Sequence, residues 1–461
     1  MLARRKASGK LLTKALHYGS IAVKRSDVGA NEPGIMDRRN KWRLMALLIS
    51  GVSAWKASAN GFGLPDQDAF ATARGEAFVA TADNPSAVYY NPAGITQLSG
   101  DNFRGGLNSV YYQPTFQPPP GQPNSGQTYK STENFACLPQ LFYTHTAKGA
   151  PLSCGLGVYA PFGGSMSWPQ DTGFRSVAVS GSLQYITINP VVAVKLAPSL
   201  SVALGAMVNY GNISMSQGLL GSATPQANFF NFTGDGWGAG YNAGILWQPY
   251  PKISFGATFR SSASMNFQGN TDFQLQPHPY STPAQRDASA EFNFPLTAVF
   301  GVSCRPTPKW NIEFDANCTD WRSFNTVTIE QSGQPVNPPF HENIPINLDW
   351  QASWMFEFGV TRFFDSGWHM SAGYVFNQNS VPDAYYTPLA ADMDRHFFSI
   401  GTGFKGKTFD FDVAYQFGYG PLHTVAGSTP STTPALFAGQ SADGTYGFTS
   451  QAVFVSVGMH F

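Results

Sequence analysis

Apolar and polar residues alternate with a period of two in segment after segment over residues 103–461. Successive side chains of a β-strand point to opposite faces, so this period predicts strands with one apolar and one polar face. The clearest apolar faces comprise Ile186, Ile188, Pro190, Val192, Val194 and Leu196; Trp310, Ile312, Phe314 and Ala316; and Phe409, Phe411, Val413, Tyr415 and Phe417. The polar faces between them carry acidic residues and many glycines, which suits a crowded, wet interior.

The connections between these segments alternate between short turns and long loops. A soluble sandwich gives no reason for that alternation, whereas short turns at one end and long loops at the other are typical of outer-membrane barrels. The short turns lie near residues 148–149, 198–199, 249–251, 306–308, 365–367 and 406, and the long loops near 114–133, 162–183, 214–235, 269–289, 325–350, 378–394 and 419–446. These thirteen connections predict an all-β fold: a transmembrane, 14-stranded antiparallel β-barrel over residues 103–461.

The composition narrows the class of function. Charged residues make up 12% of the chain and basic and acidic residues are balanced at 28 each, so nothing favours nucleic-acid binding. Sequence patterns of serine hydrolases and zinc enzymes are absent, and we predict no enzyme activity, no cofactor and no metal site. One match to a phosphate-binding loop, residues 401–408, is followed by a period-two strand instead of the required helix.

Residues 1–59 are predicted to be an upstream extension plus a signal peptide. From Met36 the sequence has a basic start and an apolar stretch, and it ends in the small residues Ala-Ser-Ala of a signal-peptidase site. We therefore predict cleavage after Ala59 and a mature N-terminus at Asn60. A short buried helix is the alternative interpretation of this stretch.

Residues 60–102, here called the hatch, break the alternating pattern. A helical turn is predicted over residues 68–82, and an Asn-Pro turn follows at Asn91, Pro92 and Ala93. A barrel of fourteen strands encloses more space than its own side chains can fill. We therefore predict that the hatch plugs the lumen, where its apolar side chains would be buried. These are Phe62, Leu64, Phe70, Phe78, Val88 and Tyr89.

The hatch resembles the N-terminal hatch of the FadL/TodX (OMPP1) family of outer-membrane transporters, down to YYNPAG at residues 89–94. The similarity extends in order over essentially the whole mature chain. It includes APFG at 160–163, TINP at 187–190, GDGWG at 234–238, GYNAGILWQP at 240–249, FRS at 259–261, DW at 320–321, SVPD at 380–383 and DMDR at 392–395. The resemblance implies passive transport of long-chain fatty acids or other hydrophobic molecules across the outer membrane of a Gram-negative cell.

The resemblance also implies a route for the ligand. A ligand would first touch an apolar groove in the outer loops, which predicts ligand contacts at Leu219, Leu220, Phe229, Phe230 and Phe232. It would then enter a pocket capped by the start of the hatch, at Phe62 and Leu64, and leave sideways where the third strand kinks. Glycine marks bends and proline cannot donate to the ladder, so a kink is predicted at Gly155, Gly157 and Pro161. The turn at Asn91, Pro92 and Ala93 would lie near that opening.

Two arginines are candidates for holding a ligand carboxylate. By parity, Arg260 and Arg395 point into the lumen, and a carboxylate in a dry pocket needs a cation or several donors. The alternative is that both arginines form ion pairs with lumenal carboxylates. The basic residues of the best-studied relatives have no counterparts at the corresponding positions here, which leaves an uncharged substrate open. The lumenal carboxylates in question are Glu313, Asp315, Glu357, Asp410 and Asp412.

The remaining predictions concern cysteines and partners. Cys154, Cys304 and Cys318 fall on the apolar faces, which favours free thiols over disulfides. The last strand ends on the aromatic Phe461, the kind of terminus that the barrel assembly machinery recognises. We expect a monomer surrounded by outer-membrane lipid. A porin-like barrel with a constitutive plug and, more remotely, an outer-membrane lipase are the alternatives.

Overall fold

The structure is a computed structural model that describes residues 61–122, 124–219, 229–274, 284–332, 343–429 and 440–461. The predicted signal peptide, its cleavage after Ala59, and Leu220 lie outside the described residues. Among the described residues, no helix has the length and apolar character needed to cross a membrane.

Twenty strand segments in the described residues form one antiparallel sheet. They are β1 (Gly100–Gln117), β2 (Tyr129–Lys130), β3 (Phe135–Thr146), β4 (Leu152–Tyr159), β5 (Gly163–Ser167), β6 (Ser180–Ala197), β7 (Leu200–Gly218), β8 (Phe229–Tyr250), β9 (Ile253–Arg260), β10 (Ala263–Gln274), β11 (Ala284–Phe294), β12 (Thr297–Cys304), β13 (Trp310–Asp320), β14 (Thr326–Gln331), β15 (Asn343–Asn347), β16 (Ala352–Phe363), β17 (Trp368–Asn377), β18 (Arg395–Lys405), β19 (Phe409–Val425) and β20 (Gly444–His460).

The sheet closes on itself. β1 pairs with β3 on one side and with β20 on the other, from Asn102 opposite His460 to Gln117 opposite Thr445. Six barrel strands consist of two consecutive segments each, and eight consist of one. The prediction of a closed 14-stranded antiparallel barrel is therefore confirmed for the described residues. Closure pairs the first strand with the last, whose free edges a lipid environment would penalise.

The strand bounds differ from the prediction. β1 begins at Gly100 instead of Phe103, and β7, β8, β10, β11, β19 and β20 continue into the predicted long loops. Ladder hydrogen bonds extend a strand wherever a neighbour is available. Beyond the lipid layer both faces can be polar, so the alternating pattern ends before the strand does.

The outer face of the barrel is apolar and the lumenal face is mixed. Large side chains such as Leu204, Trp237 and Ile400 are more than 60% exposed on the outer face. Polar side chains such as Asn189 and Asp315 are fully buried on the inner face. The four cysteines are free: Cys137, Cys154, Cys304 and Cys318.

The hatch lies inside the barrel as two short helices and one 3-10 helix. These are α1 (Ala69–Ala73), α2 (Ala87–Tyr90) and the 3-10 helix Pro92–Gln97. Asp68 caps α1 by accepting hydrogen bonds from the amides of Phe70 and Ala71. The predicted helical turn over residues 68–82 is wrong in length, because Gly75 and Glu76 adopt positive φ angles and end the helical path. The apolar hatch side chains are buried, with Phe62 half-buried.

Candidate functional site

A cavity of about 1170 Å³, here called the outer cavity, lies among the long loops and the ends of the strands that carry them. Its lining is mainly apolar and includes Val177, Ile213, Phe292, Phe324 and Trp350. None of the described residues that line it is charged. A concave, mainly apolar lining with a few polar groups is typical of a small-molecule binding site.

The predicted groove residues pack near this cavity without lining it. Leu219, Phe230 and Phe232 are buried in the same hydrophobic cluster as the cavity walls. Phe229 is half-buried and lies under the guanidinium of Arg175, 4.8 Å from its ring centroid. The prediction placed these side chains at a loop surface, whereas β7 and β8 continue through this region and their pairing turns the side chains inward.

An aromatic cluster separates the outer cavity from the space below it. Phe62 of the hatch lies 5.3 Å, centroid to centroid, from Trp350, which in turn lies 5.2 Å from Trp321 and 5.3 Å from Phe324. Phe162 of the third barrel strand completes the cluster, 5.8 Å from Trp321. We call these five rings the aromatic gate. Of its members, only Phe62 is a ligand contact predicted from the sequence.

Residues 62–64 are hydrogen-bonded to the break in the third barrel strand. The Leu64 amide donates to Pro161 O at 2.8 Å, and the Gly163 amide donates to Phe62 O at 2.8 Å. Gly63 and Phe162 therefore face each other as an isolated antiparallel bridge. The start of the hatch is attached to the wall at the point where the wall loses its regular pairing.

Two inner cavities lie on the inner side of this hatch segment, and both are lined by Gly63, Leu64 and Pro65. The first, about 590 Å³, is called the arginine cavity because Arg260 is the charged residue among its described lining. The second, about 640 Å³, is called the acidic cavity because its lining includes Asp66 and Glu76. Leu64, one of the predicted ligand contacts, therefore lines both inner cavities.

The third barrel strand is interrupted between β4 and β5. β4 pairs with β3 on one side and β6 on the other, whereas β5 pairs only with β6 among the described strands. The wall between β3 and β5 therefore lacks ladder pairs. Pro161 lies in the interruption, which fits its inability to donate a backbone hydrogen bond.

Gly155 and Gly157 lie within the regular ladder of β4, before the interruption. Both contact Val88 of the hatch: a Cβ atom at either position would lie 2.9 Å from a Val88 methyl group. Their small size therefore lets α2 of the hatch approach the wall closely. The interruption begins after Tyr159, so Pro161 lies within it and the two glycines precede it.

The turn at Asn91, Pro92 and Ala93 connects two hatch segments to the wall. The Asn91 side chain accepts a hydrogen bond from the Ala93 amide and donates to Val79 O at 2.8 Å and to Ile245 O at 2.9 Å. Pro92 packs against Gly244 of β8, where a Cβ atom would lie 2.9 Å from the proline ring. The turn thus holds the hatch against β8.

Two carboxylates of β13 bind backbone amides of the hatch. Glu313 accepts hydrogen bonds from the amides of Ala80 and Thr81, at 2.7 and 3.0 Å. Asp315 accepts from the amides of Phe78 and Val79, both at 2.8 Å. Charge-assisted hydrogen bonds of this kind are stronger than neutral ones. The wall therefore holds residues 78–81 of the hatch through four backbone donors.

A buried arginine joins the other end of the hatch to the wall. Arg104 of β1 contacts Asp68 of the hatch, and its guanidinium lies 2.7 Å from Asp412 and 3.5 Å from Asp410. His369 adds a contact of 2.7 Å to Asp412. Each of these charges has a partner, as buried charges require.

The two predicted carboxylate-binding arginines differ in their surroundings. Arg260 is 9% exposed and borders the arginine cavity, where it contacts Tyr89 through the backbone carbonyl and the ring. Arg395 is fully buried, donates to Ala391 O and lies 3.9 Å from the Phe448 centroid. It borders none of the cavities described here. Arg260 forms no ion pair within 4.0 Å among the described residues, whereas Arg74 pairs with Glu313, and Arg104 pairs with Asp410 and Asp412.

Burial changes the acidity of groups in the hatch and the loops. Loss of solvent, and then the nearby Asp66 carboxylate, raises the pKa of Glu76 well above its ordinary value. Burial also raises the pKa of Asp66. In the outer loops, burial raises the pKa of Tyr386, so its hydroxyl stays neutral beside the outer cavity. For Glu76 and Asp66, both shifts favour the protonated, neutral form of the carboxyl group.

Comparison with known proteins agrees with this architecture. The family model described as outer membrane protein transport protein (OMPP1/FadL/TodX) matches residues 50–460. The long-chain fatty acid transport protein of Escherichia coli O6:H1 is 24% identical over 421 residues, covering 82% of this chain and 90% of that protein. The counterpart of Salmonella typhi is 23% identical over 410 residues, covering 81% and 90%.

Solved structures show the same fold. A Pseudomonas aeruginosa FadL homologue has a TM-score of 0.74 at 18% identity, covering 87% of this chain and all of that chain. The Ralstonia pickettii toluene transporter TbuX has a TM-score of 0.62 at 15% identity, covering 87% and 99%. The family model spans most of the chain and the barrel is closed, so the protein is a β-barrel of the Gram-negative outer membrane and belongs to the outer membrane protein transport protein (OMPP1/FadL/TodX) family.

Proposed function

We propose that this protein carries long-chain fatty acids or similar hydrophobic molecules passively across the outer membrane, by a route that the hatch controls. A ligand enters the outer cavity, displaces the start of the hatch, passes into an inner cavity and leaves sideways between β3 and β5. The observation that supports this proposal is the bridge between Gly63 and Phe162, because the start of the hatch contacts the wall where β5 pairs with β6 alone among the described strands.

Only a few contacts hold the start of the hatch in the closed position, so few are lost when a ligand displaces it. Residues 62–64 are held by two backbone hydrogen bonds, and the amide of Gly61 donates to the buried Asp392 carboxylate at 3.3 Å. The body of the hatch, by contrast, is held by Glu313, Asp315 and Arg104. A ligand that packs against Trp350 and Phe324 can replace Phe62 without disturbing that body.

The names of the relatives support hydrophobic molecules as the transported class. Relatives of similar length are long-chain fatty acid transport proteins, and proteins of the same fold include a toluene transporter. A diffusive route of this kind needs no cofactor and no catalytic group, so we propose no enzyme activity. The protein acts as a monomer in outer-membrane lipid, and the exposed terminal Phe461 is the signal for the barrel assembly machinery.

The direct test is uptake by cells that lack the gene and carry it back on a plasmid. We expect the protein to restore uptake of radiolabelled hexadecanoate or of toluene, without a change in the uptake of small hydrophilic sugars. Restored uptake of the sugars alone would support a porin with a permanent plug instead. Restoration of none of these solutes would contradict the transport proposal.

The outer cavity can be tested by placing a charge in it. Ile213 is buried and lines the cavity, whereas its neighbour Asn212 is exposed on the opposite face of β7. An unpaired carboxylate is costly in apolar surroundings, so we expect Ile213→Asp to weaken binding of an apolar ligand about 10- to 100-fold. The measurement is ligand titration of purified protein in lipid nanodiscs.

Asn212→Asp is the matched control, since it adds the same charge to the same strand on the outer side. It should bind the ligand with wild-type affinity. Both variants are first checked for outer-membrane amount and thermal unfolding. Equal affinities in the two variants, both correctly assembled, would show that the outer cavity does not receive the ligand.

A further inference from the structure

Two residues that line the outer cavity, Trp350 and Tyr386, each carry a buried polar atom without a partner. Trp350 is 1% exposed and Tyr386 is 2% exposed. The indole Nε1 atom of Trp350 and the hydroxyl oxygen of Tyr386 form no hydrogen bond with any described residue. A buried polar group in this condition costs free energy that a suitable ligand atom recovers. The outer cavity therefore offers two polar atoms to a ligand.

The other polar side chains of this lining differ from these two in their access to water. All of them are half-buried or exposed, so water can reach their hydroxyl and amide groups. A ligand gains less by replacing water at such a group than by reaching one that has no partner. These residues are Ser182, Ser214, Gln217, Asn347, Tyr385, Thr387 and Thr429.

The chemistry of the two buried groups indicates which ligand atom they would bind. An indole N–H can only donate a hydrogen bond, and a phenol hydroxyl can donate one. Burial raises the pKa of Tyr386, so its hydroxyl keeps the proton that it would donate. A carbonyl oxygen has two lone pairs and can accept from both donors. An alkane or toluene has no acceptor and leaves both groups unpaired.

The charge of the lining indicates that the acceptor belongs to a neutral ligand. An ionised carboxylate also presents acceptor oxygens, but the described part of the outer cavity's lining contains no cation. Moving an anion into apolar surroundings without a cation is costly, and two neutral donors offset only a part of that cost. The carbonyl oxygen of an ester or a ketone avoids this cost because it carries no net charge.

We propose that the outer cavity selects neutral amphiphiles that carry a carbonyl oxygen, such as fatty esters and long-chain ketones. The oxygen accepts hydrogen bonds from Trp350 Nε1 and from the Tyr386 hydroxyl. The alkyl chain lies against the apolar lining, which includes Val177, Ile213 and Phe292. The inference rests on the transport function proposed above and names a substrate class for it.

Packing around the two donors connects this site to the hatch. The ring centroid of Trp350 lies 5.3 Å from that of Phe62, and a Cβ atom on Gly61 would lie 2.6 Å from a carbon of the Trp350 ring. The Tyr386 ring packs against Tyr446, with 4.7 Å between the centroids. A ligand bound to Trp350 therefore contacts the side chain against which the start of the hatch packs.

The test compares methyl decanoate with dodecane, a chain of similar length that has no acceptor. Purified full-length protein in lipid nanodiscs is titrated with each ligand. We expect Tyr386→Phe to weaken methyl decanoate binding about 3- to 10-fold, the range for one neutral hydrogen bond, and to change dodecane binding less than about twofold. Trp350→Phe should lower the ratio of ester affinity to alkane affinity by a similar factor, since the smaller ring affects both ligands alike.

Tyr385→Phe is the matched control, because Tyr385 lines the same cavity and is half-buried, where water can reach it. It should bind both ligands as the wild type does. Tyr386→Phe should also unfold at the wild-type temperature, since its hydroxyl has no partner to lose among the described residues. A lower unfolding temperature would show that this hydroxyl stabilises the fold and would contradict its role in ligand binding.

Selective loss of the ester in both Tyr386→Phe and Trp350→Phe supports the site. Equal loss of ester and alkane, or wild-type ester binding in both variants, overturns it. Tighter binding of ionised decanoate at pH 8, with the same dependence on both donors, would show a site for carboxylates instead. If the ester is not preferred but cells take up hexadecanoate or toluene, the carbonyl site is wrong and the transport proposal stands. Uptake of neither solute contradicts the transport proposal itself.

Discussion

Replacing Glu313 with leucine is expected to release residues 78–81 of the hatch while the barrel stays folded. Glu313 is completely buried and accepts hydrogen bonds from the amides of Ala80 and Thr81 and from the Thr81 hydroxyl, and it pairs with Arg74 at 3.1 Å. Removing one partner of a buried ion pair costs roughly 3–5 kcal/mol, because the other charge is left without compensation. The loss destabilises the attachment of the hatch, because all four contacts of Glu313 join the hatch to β13.

Hydrogen exchange followed by mass spectrometry measures this effect directly. Amide exchange in residues 78–81 should accelerate about 100- to 1,000-fold, the factor that corresponds to such a loss at roughly 3–4 kcal/mol. Exchange in β13 and its neighbours should change little. In planar bilayers, the same variant should open to a measurable ion conductance more often than the wild type.

Glu330→Leu serves as the control for loss of one carboxylate. Glu330 lies exposed in β14, where it is opposite Asn343, and it forms no hydrogen bond or ion pair with the described hatch residues. Wild-type exchange in the Glu313 variant would mean that Asp315 and Arg104 hold the hatch without help. Unfolding of the whole barrel would mean that the hatch and the wall are one cooperative unit.

The strand number could be predicted from the sequence because lipid imposes a simple rule on each wall residue. Outward residues such as Val192 and Ile312 must be apolar, and lumenal residues such as Asn189 and Glu313 are free to be polar. The bounds of β7 and β8 could not be predicted in this way. Above the lipid layer that rule no longer applies, and only hydrogen bonding to a neighbour decides where a strand ends.

The hatch was recognisable as a plug but its contacts were not. Apolar side chains such as Phe78 and Val88 in a non-barrel segment required a buried environment. One of the two interpretations paired the lumenal carboxylates with Arg260 and Arg395, whereas Glu313 and Asp315 bind backbone amides of the hatch. Backbone donors have no signature in a sequence, so this contact could be found only in three dimensions.

The candidate site could be predicted only in part. Parity placed Arg260 in the lumen, and the family resemblance placed Phe62 at the ligand. Trp350 and Phe324 were missed, because both lie far from Phe62 in the chain and meet it only in the folded protein. The DW pair at residues 320–321 was noted as a family similarity, and its tryptophan is part of the aromatic gate.

Joining the hatch covalently to the wall should stop transport. Gly63 and Phe162 face each other with flanking hydrogen bonds on both sides, a position where Cα atoms of antiparallel strands lie about 4.5 Å apart. Disulfides need a Cα separation of roughly 4.4–6.8 Å, so the double variant Gly63→Cys/Phe162→Cys can form one. The four native cysteines are free and are first replaced by alanine to prevent mispairing.

We expect the oxidised double variant to lose nearly all uptake of hexadecanoate and of toluene, because the start of the hatch can no longer leave the break in the third barrel strand. Reduction should restore the uptake within the same sample, which separates the covalent bond from any damage caused by the loss of the Phe162 ring. Each single-cysteine variant should respond to neither oxidant nor reductant. If the oxidised protein carries a complete disulfide, shown by the absence of free thiols, and still transports at the rate of its reduced form, ligand passes without moving residues 62–64.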